Sequence, residues 1–467
     1  MPHTAQHSAT PRREHWSGSL AFILAATGSA VGLGNIWKFP YITGSNGGGW
    51  FVLIYIACVL LIGLPIMIAE ILVGRAAQKS PVAAFRTLAG RRNPWQGVGW
   101  LGVVAAFVIL SYYSVVAGWT LHYSWLAASQ GFTGLDAASI KTLFDQIYTD
   151  PGINLFWHAL FMLITVGIVA AGVHRGLERW VHILMPMLFF MILALVLRAV
   201  GGDGFSRALD FVFSPRADQL TPAGVLEALG HSFFTLSLGM GCMLTFGSYL
   251  RRRDDIVITS LAIGGLDTLV SLMACLVVFP IIFSYGLAPG AGPGLVFVTL
   301  PIAFAQMNGG ALWAMIFFLL LAVAALTSAI SLLEVAVSHF IDSHGWHRRQ
   351  ATFAVGAAIF LLGIPSALSG GTALFGADFQ AASAALFGGA GKNWFDLFDY
   401  LASNWLLPLG GLGIAVFVAW RMGDAARALA FSADGGYARL YWAWVWLLRY
   451  LVPLGVTGIF LHALGVF

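Results

Sequence analysis

The sequence predicts an all-α polytopic membrane protein with eleven transmembrane helices. Hydrophobic residues make up 59% of the 467 residues, Asp, Glu, Lys and Arg make up only 9%, and the mean hydropathy is +0.84. A soluble domain carries about 25% charged residues. The apolar residues also form eleven long runs, and the net charge of +4 is spread over the loops between them. These observations exclude a soluble enzyme, a disordered chain and a nucleic-acid-binding protein.

Each apolar run is close to or above the roughly 20 residues that a helix needs to cross the hydrocarbon core. In chain order the runs are 18–43, 50–74, 97–127, 153–173, 177–200, 223–250, 256–285, 309–340, 351–369, 396–420 and 440–464. Residues 1–16 are polar, and we expect no cleavable signal peptide. Residues 286–310 are rich in Gly and Pro and predict a loop that folds back as a lid.

The orientation follows from the Lys and Arg residues between the runs. With the N-terminus in the cytoplasm, seventeen of the 24 lie in inner loops and five in outer loops. We therefore expect a cytoplasmic N-terminus and, because the number of spans is odd, a C-terminus outside. Cys58, Cys242 and Cys275 all lie within apolar runs and predict small core side chains without disulfides.

Two of the runs are interrupted by small residues. The first contains Gly-Ser-Ala-Val-Gly-Leu-Gly-Asn at 28–35, and the sixth contains Thr-Leu-Ser-Leu-Gly-Met-Gly at 235–241. Broken spans in corresponding positions predict a five-plus-five inverted repeat with a binding site at the breaks. The alternative is close helix packing by small residues. The predicted divisions are a cytoplasmic segment 1–16, a first repeat 17–200, an outer loop 201–222, a second repeat 223–421 and a last helix 438–467.

A break in a helix exposes backbone groups of both signs. Free N–H groups near Leu33 favour an anion such as a carboxylate, and free carbonyl groups near Gly28 favour a cation. Side-chain oxygens within the apolar runs could add to a cation site. They belong to Asn35, Thr235, Asp267, Thr327 and Ser328.

Several motifs resemble those of the neurotransmitter:sodium symporter family. They are Arg-Glu-His-Trp at 13–16, the segment 28–40, Asn-Gly-Gly-Gly at 46–49, the segment 233–241 and Leu-Thr-Ser at 326–328. The resemblance covers nearly the whole chain. It implies the leucine-transporter fold with helices 1 and 6 broken, and symport with sodium by alternating access across the inner membrane of a bacterium.

The resemblance also implies two sodium ions. The first site maps onto Ala30, Asn35, Thr235 and Asp267, and the second onto Gly28, Val31, Ala324, Thr327 and Ser328. The leucine transporter has Asn at the position of Asp267. An ionisable residue at this depth is a functional candidate in its own right.

Chloride is a further alternative at the first sodium site. The family's chloride positions map onto Tyr55, His231, Thr235 and Ser271, where His231 replaces a Gln. Ser271 replaces the buried Glu of chloride-independent bacterial members. Because Asp267 already supplies a negative charge four residues earlier, we expect sodium binding not to depend on chloride.

The implied substrate is a zwitterionic amino acid. Monoamine transporters of the family carry an Asp at the position of Gly32, so this chain leaves room there for a substrate carboxylate. The substrate positions are Ala30, Gly32, Leu33, Gly34, Ile109, Tyr113, Phe234, Thr235, Ser237, Met240, Ser328 and Leu332. The pocket part of this set is apolar and Met240 replaces a Phe, which predicts hydrophobic L-amino acids, aromatic ones included.

The family's gates also have counterparts. Lys38 and Asp399 match the outer gate pair, Arg13 and Asp342 match the inner pair, and Trp16 is expected to plug the space below Arg13. Glu70 matches a residue that hydrogen-bonds the broken sixth helix.

Two other functions remain open at this stage. The first is a proton-coupled carrier of the same fold, with Asp267 or His231 as the proton site. The second is a non-transporting amino-acid sensor. We expect no enzyme, because no nucleophile–base cluster or metal-ligand spacing is present. The expected partners are the amino-acid substrate and the bilayer, without nucleic acid, and the sequence indicates no particular oligomeric state.

Overall fold

The computed structural model describes residues 14–215, 221–252, 254–287, 294–387, 391–431 and 438–463. Within these ranges the chain consists of helices joined by turns, without strands. The helices are α1 (Ser19–Ala30), α2 (Gly34–Ser45), α3 (Gly49–Ala77), α4 (Pro81–Ala89), α5 (Gln96–Ala128), α6 (Ala137–Thr149), α7 (Pro151–Ala170), α8 (Val173–Val200), α9 (Phe205–Phe213), α10 (Pro222–Thr235), α11 (Cys242–Gly247), α12 (Ile256–Ser284), α13 (Leu295–Gln306), α14 (Gly310–His344), α15 (Arg348–Leu368), α16 (Ala377–Phe387), α17 (Trp394–Arg421), α18 (Asp424–Phe431) and α19 (Arg439–His462).

The long helices make this a multi-pass membrane protein. Nine helices of the described residues are long and apolar enough to span a bilayer, namely α3, α5, α7, α8, α12, α14, α15, α17 and α19. The pair α1 and α2, bent by 51°, forms a tenth span. The sixth predicted run folds as two shorter helices, α10 and α11, on either side of residues 236–241. The count of eleven therefore stays a prediction.

The core is built around α14. This helix packs most extensively against α5, and it also contacts α1, α7, α8 and α15. Its buried residues lie on all its faces, as expected for a helix surrounded by other helices. In contrast, α8 and α19 expose rows of Leu, Phe and Trp side chains outwards, where lipid would cover them.

The break between α10 and α11 is held open by its backbone. Ser237, Gly239 and Gly241 all have positive φ, which ends the helix. A Cβ atom at Gly239 would lie 2.2 Å from the carbonyl oxygen of Leu407, and one at Gly410 would lie 2.3 Å from the carbonyl oxygen of Gly239. The break thus touches α17 backbone to backbone.

A buried carboxyl group supports the same break. The backbone N–H of Gly239 donates to Oε1 of Glu70 at 2.6 Å, across from α3. This contact confirms the structural role predicted for Glu70. It satisfies a donor that has no helical partner once the helix has ended.

A short helix covers one end of the bundle. The apolar part of the predicted lid is α13, which packs against α14 and α6. The carbonyl oxygen of Phe297 accepts a hydrogen bond from the Tyr123 hydroxyl at 3.0 Å. Residues 288–293 of the predicted lid lie outside the described residues.

Candidate functional site

The breaks of the first and sixth predicted spans enclose a small cavity of about 20 Å³. All twelve residues predicted to bind substrate line it, together with Ser29, which the sequence analysis did not identify. This volume is close to that needed by one water molecule. An amino acid could therefore enter only if the lining side chains moved apart.

One end of the cavity is polar and is shaped by a glycine. The backbone N–H of Leu33, at the break before α2, donates to the Tyr113 hydroxyl at 3.3 Å. A Cβ atom at Gly32 would lie 2.6 Å from Ser328 Oγ and 2.9 Å from the Tyr113 hydroxyl oxygen. No side chain fits at Gly32 without displacing these groups. The N-terminal end of α2 favours an anion here.

The other end of the cavity is apolar. Ile109 of α5, Met240 of the break and Leu332 of α14 line it, with the ring of Phe234 alongside. None of the described residues that line this cavity carries a charged side chain. Because an unpaired charge in such surroundings is costly, the cavity suits an uncharged, apolar substrate side chain.

Buried oxygens surround Asn35 beside the cavity. The Asn35 amide nitrogen donates to Thr235 Oγ1 at 2.8 Å, to Asp267 Oδ1 at 2.7 Å and to Ser271 Oγ at 2.9 Å. The backbone N–H of Gly32 donates to the Asn35 amide oxygen at 2.9 Å. The three side chains predicted for the first sodium site are thus together, and Ala30 lines the adjoining cavity.

A second group of oxygens lies between α1 and α14. Ser328 Oγ is 3.4 Å from the Gly28 carbonyl oxygen and 3.3 Å from that of Val31. Thr327 Oγ1 donates to the Ala324 carbonyl oxygen at 3.0 Å. A Cβ atom at Gly28 would lie 3.2 Å from Thr327 Cβ, which places the two helices in contact. All five residues predicted for the second sodium site are in this region.

Both groups supply the kind of oxygen ligands that a hard cation prefers. In the described part of the chain, no three His, Cys, Asp or Glu side chains lie close enough to hold a metal together. A cation here would be bound mainly by amide, hydroxyl and backbone oxygens, with the Asp267 carboxylate at the first group. Hard cations prefer oxygen ligands of this kind, whereas zinc and copper favour nitrogen and sulfur.

The positions matched to a chloride site surround the same carboxylate. The Tyr55 hydroxyl donates to Asp267 Oδ2 at 3.1 Å, and the Thr235 hydroxyl donates to Oδ1 at 3.1 Å. His231 packs with its ring centroid 5.7 Å from that of Tyr55. Both His231 ring nitrogens are buried and have no hydrogen-bond partner among the described residues.

A larger cavity, of about 330 Å³, adjoins the small one. Phe234 lines both, so its ring forms a wall between them. The Lys38 ammonium lies 5.3 Å from the centroid of that ring. Asp399 lines the same larger cavity but accepts hydrogen bonds from Tyr112 at 3.1 Å and Ser403 at 3.4 Å. Lys38 and Asp399 thus share a cavity without a direct ion pair.

The opposite end of the site is closed by Trp16. The Trp16 side chain is 2% exposed, and its Nε1–H donates to the Phe246 carbonyl oxygen of α11 at 3.0 Å. Asp342 accepts a hydrogen bond from the backbone N–H of Ser80 at 2.6 Å. Arg13, its predicted gate partner, lies outside the described residues.

A buried ion pair at this closed end was not predicted from the sequence. Arg348 donates two hydrogen bonds to the Glu334 carboxylate, at 2.8 and 2.9 Å, and the Tyr249 hydroxyl donates to the same group at 2.5 Å. An isolated Glu within the apolar run of α14 was the one available signal. A buried charge of this kind requires a partner, but the sequence does not show which residue supplies it.

A cavity with one polar and one apolar end, at the breaks of two helices within a many-helix membrane bundle, is the typical binding site of a secondary transporter. A sequence profile of the Sodium:neurotransmitter symporter family (SNF) matches residues 13–134 and 139–467. The chain therefore belongs to the sodium:neurotransmitter symporter family.

Individual relatives agree with this assignment. The "Uncharacterized sodium-dependent transporter YhdH" of Bacillus subtilis (strain 168) is 38% identical over 97% of this chain and 98% of the relative. An "Uncharacterized sodium-dependent transporter" of Haemophilus influenzae is 32% identical, with 97% and 98% covered. The crystal structure of MhsT in complex with L-phenylalanine is 41% identical, with a TM-score of 0.87, covering 97% of this chain and 100% of that chain. The predicted family and all-α transporter fold are confirmed.

Proposed function

We propose that this protein imports hydrophobic L-amino acids, aromatic ones included, together with sodium. The observation that carries the proposal is the small cavity, which has a polar end without a side chain at Gly32 and an apolar, uncharged opposite end. The substrate carboxylate would face the N–H groups of Leu33 and Gly34 and the Tyr113 hydroxyl. Its side chain would lie among Ile109, Met240 and Leu332.

The related structure supports the same substrate class. MhsT was solved with L-phenylalanine, an aromatic amino acid, and shares the fold at 41% identity. In this chain Met240 borders the apolar end. A flexible thioether adapts its shape to a large ring better than a rigid side chain does.

We propose that two sodium ions move with each substrate. One would be bound by the Ala30 carbonyl and by Asn35, Thr235 and Asp267, close to the substrate carboxylate. The other would be bound by the carbonyl oxygens of Gly28, Val31 and Ala324 and the hydroxyls of Thr327 and Ser328. To bind the first ion, the Asn35 amide would rotate so that its oxygen, and not its nitrogen, faces Thr235 and Asp267.

We further propose that transport does not need chloride. Tyr55 and Thr235, two of the four matched chloride positions, donate to the Asp267 carboxylate. That carboxylate would supply the negative charge that chloride supplies elsewhere. His231 would then act as a neutral packing residue.

Access to the site would alternate between the two sides. The two proposed repeats, 17–200 and 223–421, each begin with a broken span, and one part of the bundle would rock against the rest. Trp16, with Arg13 and Asp342, would close the cytoplasmic side, while Phe234, Lys38 and Asp399 would close the outside. The membrane would be the inner membrane of a bacterium. The loop charges favour an orientation with the N-terminus in the cytoplasm.

The first experiment is binding of radiolabelled tryptophan and leucine to the purified protein, in sodium and in potassium. We expect saturable binding of both that requires sodium. Equal binding in the two salts would favour a proton-coupled carrier using Asp267 or His231. Absence of binding for both would refute the substrate class, and sodium-dependent binding without uptake into vesicles would favour a sensor.

A further inference from the structure

A third cavity, of about 210 Å³, lies where the C-terminal ends of α8 and α12 meet the start of α14. It shares no lining residue with the two cavities of the transport site. The residues that line it include Arg198, Asp203, Ser284, Tyr285 and Trp313. Neither the family resemblance nor the transport mechanism gives these residues a role.

The cavity carries one charge of each sign. The Arg198 guanidinium lies 6.0 Å from the centroid of the Trp313 indole ring. Within the described residues, neither Arg198 nor Asp203 has a hydrogen bond or ion pair from its side chain, and the two do not pair with each other. The five N–H donors of Arg198 and the Asp203 carboxylate are thus available to a ligand.

The wall of the cavity is formed by close backbone contact. The backbone N–H of Gly204 donates to Ser284 Oγ at 3.0 Å. A Cβ atom at Gly204 would lie 2.3 Å from the Pro280 carbonyl oxygen, so the turn after α8 is pressed against α12. This contact holds the backbone of the turn that carries Asp203 against α12.

Exposed apolar side chains on α8 show at which level of the helix the cavity lies. They belong to Phe190, Leu193, Leu197 and Val200. Their spacing of three or four residues places them on one face of the helix, opposite to Leu195 and Ala199, which line the cavity. On a membrane-spanning helix, such a face lies against lipid chains, and it ends at the level of Arg198.

We propose that this cavity binds the head group of a phospholipid that carries both a phosphate and an ammonium group. The Arg198 guanidinium would bind the phosphate through paired N–H donors, a geometry that favours Arg over Lys. The Asp203 carboxylate would bind the ammonium, and the acyl chains would extend from the cavity into the bilayer, whose boundary lies at the level of Arg198. Trp313 suits this place, because indole rings favour the boundary between membrane and water.

The test is titration of the delipidated protein with lipids, followed by native mass spectrometry. Phosphatidylethanolamine and phosphatidylglycerol with identical acyl chains separate the two charges, because only the first has an ammonium group. We expect the wild type to prefer phosphatidylethanolamine. Arg198→Ala should weaken binding of both lipids about tenfold. Asp203→Asn should abolish the preference while leaving phosphatidylglycerol binding unchanged.

Arg207→Ala is the matched control. Arg207 is exposed, lies 4.9 Å above the Phe283 ring and does not line the cavity. This variant should bind both lipids as the wild type does. Thermal unfolding in detergent serves as the check that each variant is folded. Arg198→Lys, which keeps the charge but loses the paired donors, is a second variant and should bind more weakly than the wild type.

Several results would overturn the proposal. One is wild-type lipid affinity in both Arg198 variants, and another is equal affinity of the wild type for the two lipids. The water-soluble head group glycerophosphoethanolamine distinguishes a lipid site from a site for a soluble phosphate compound. If it binds as tightly as the lipid, the acyl chains contribute nothing and the lipid assignment is wrong. None of these results depends on the proposed amino-acid substrate.

Discussion

Gly32 determines the chemistry of the small cavity by having no side chain. Even a single Cβ atom there would lie within 3 Å of the Ser328 and Tyr113 oxygens. Any larger residue would fill the space in which we propose the substrate carboxylate binds. An Asp or Glu side chain at position 32 would also place a negative charge where an anion is expected to bind.

We predict that Gly32→Ala weakens binding of leucine and tryptophan. Overpacking a tight site costs about 1–3 kcal/mol, which corresponds to an affinity loss of about 5- to 150-fold. The measurement is equilibrium binding of the radiolabelled amino acids in sodium. Gly265→Ala is the control, because a Cβ atom at Gly265 meets nothing within 4 Å. Unchanged affinity in Gly32→Ala would place the carboxylate elsewhere.

We predict that Asp267→Asn creates a chloride requirement. The Tyr55 and Thr235 hydroxyls would lose a charged acceptor, and we expect the apparent sodium affinity to fall about tenfold or more. Chloride should restore much of this loss in the variant and have no effect on the wild type. Uptake in chloride against gluconate measures both. Asp378→Asn, at an exposed carboxylate of α16, should behave as the wild type. Loss of wild-type uptake in gluconate would contradict the prediction.

At the scale of single residues, the sequence could predict positions better than contacts. Eight of the twelve substrate positions lie in the two motifs that mark the breaks, the other four follow from the family resemblance, and all twelve line one cavity. Ser29 was not predicted, because a lone Ser in an apolar run has no distinguishing pattern. The separation of Lys38 from Asp399 depends on how the side chains turn within a cavity, which no sequence pattern specifies. The pairing of Glu334 with Arg348 likewise depends on tertiary packing.

At the scale of helices, the break between α10 and α11 depends on a contact from a different span. Glu70 on α3 accepts the hydrogen bond that the Gly239 N–H would otherwise lack. We predict that Glu70→Ala destabilises the protein by about 1–3 kcal/mol, the cost of a buried unsatisfied donor. Thermal unfolding in detergent, followed by tryptophan fluorescence, measures the effect.

Glu70→Gln is the matched control for this prediction, because its amide oxygen can still accept from Gly239. It should unfold close to the wild-type temperature, and it should retain amino-acid binding. Equal stability of the Ala and Gln variants would show that the hydrogen bond does not support the break.

The ends of the long helices could be predicted to within a few residues, because a membrane span needs a long apolar run with polar ends. The run 97–127, for example, corresponds to Gln96–Ala128. Short helices such as α4 and α9 were not predicted, because a run of nine residues is set by local caps and packing. The sixth run was expected to be interrupted, but only the structure shows how much of it, residues 236–241, lies outside a helix.

At the scale of the whole molecule, the number of sodium ions sets how far substrate can be concentrated. The membrane potential contributes about 2.3 kcal/mol per charge per 100 mV. Two ions with a zwitterionic substrate would thus raise the accumulation ratio on the order of a thousandfold for each 100 mV.

We predict this dependence in proteoliposomes, with the potential set by potassium and valinomycin and with equal sodium on both sides. A change of about fiftyfold per 100 mV would indicate that only one net charge moves. The same assay with sodium replaced by choline, which leaves the potassium gradient unchanged, is the control and should give no accumulation.

The contact between Gly239 and Gly410 has a mechanical consequence. Neither glycine leaves room for a Cβ atom against the opposing backbone, so no side chain lies between the broken segment and α17 at this contact. A displacement of the broken segment would reach α17 without being absorbed by a change of rotamer. The segment beside the proposed substrate site and the end of α17 near Arg421 would then move together as one rigid unit.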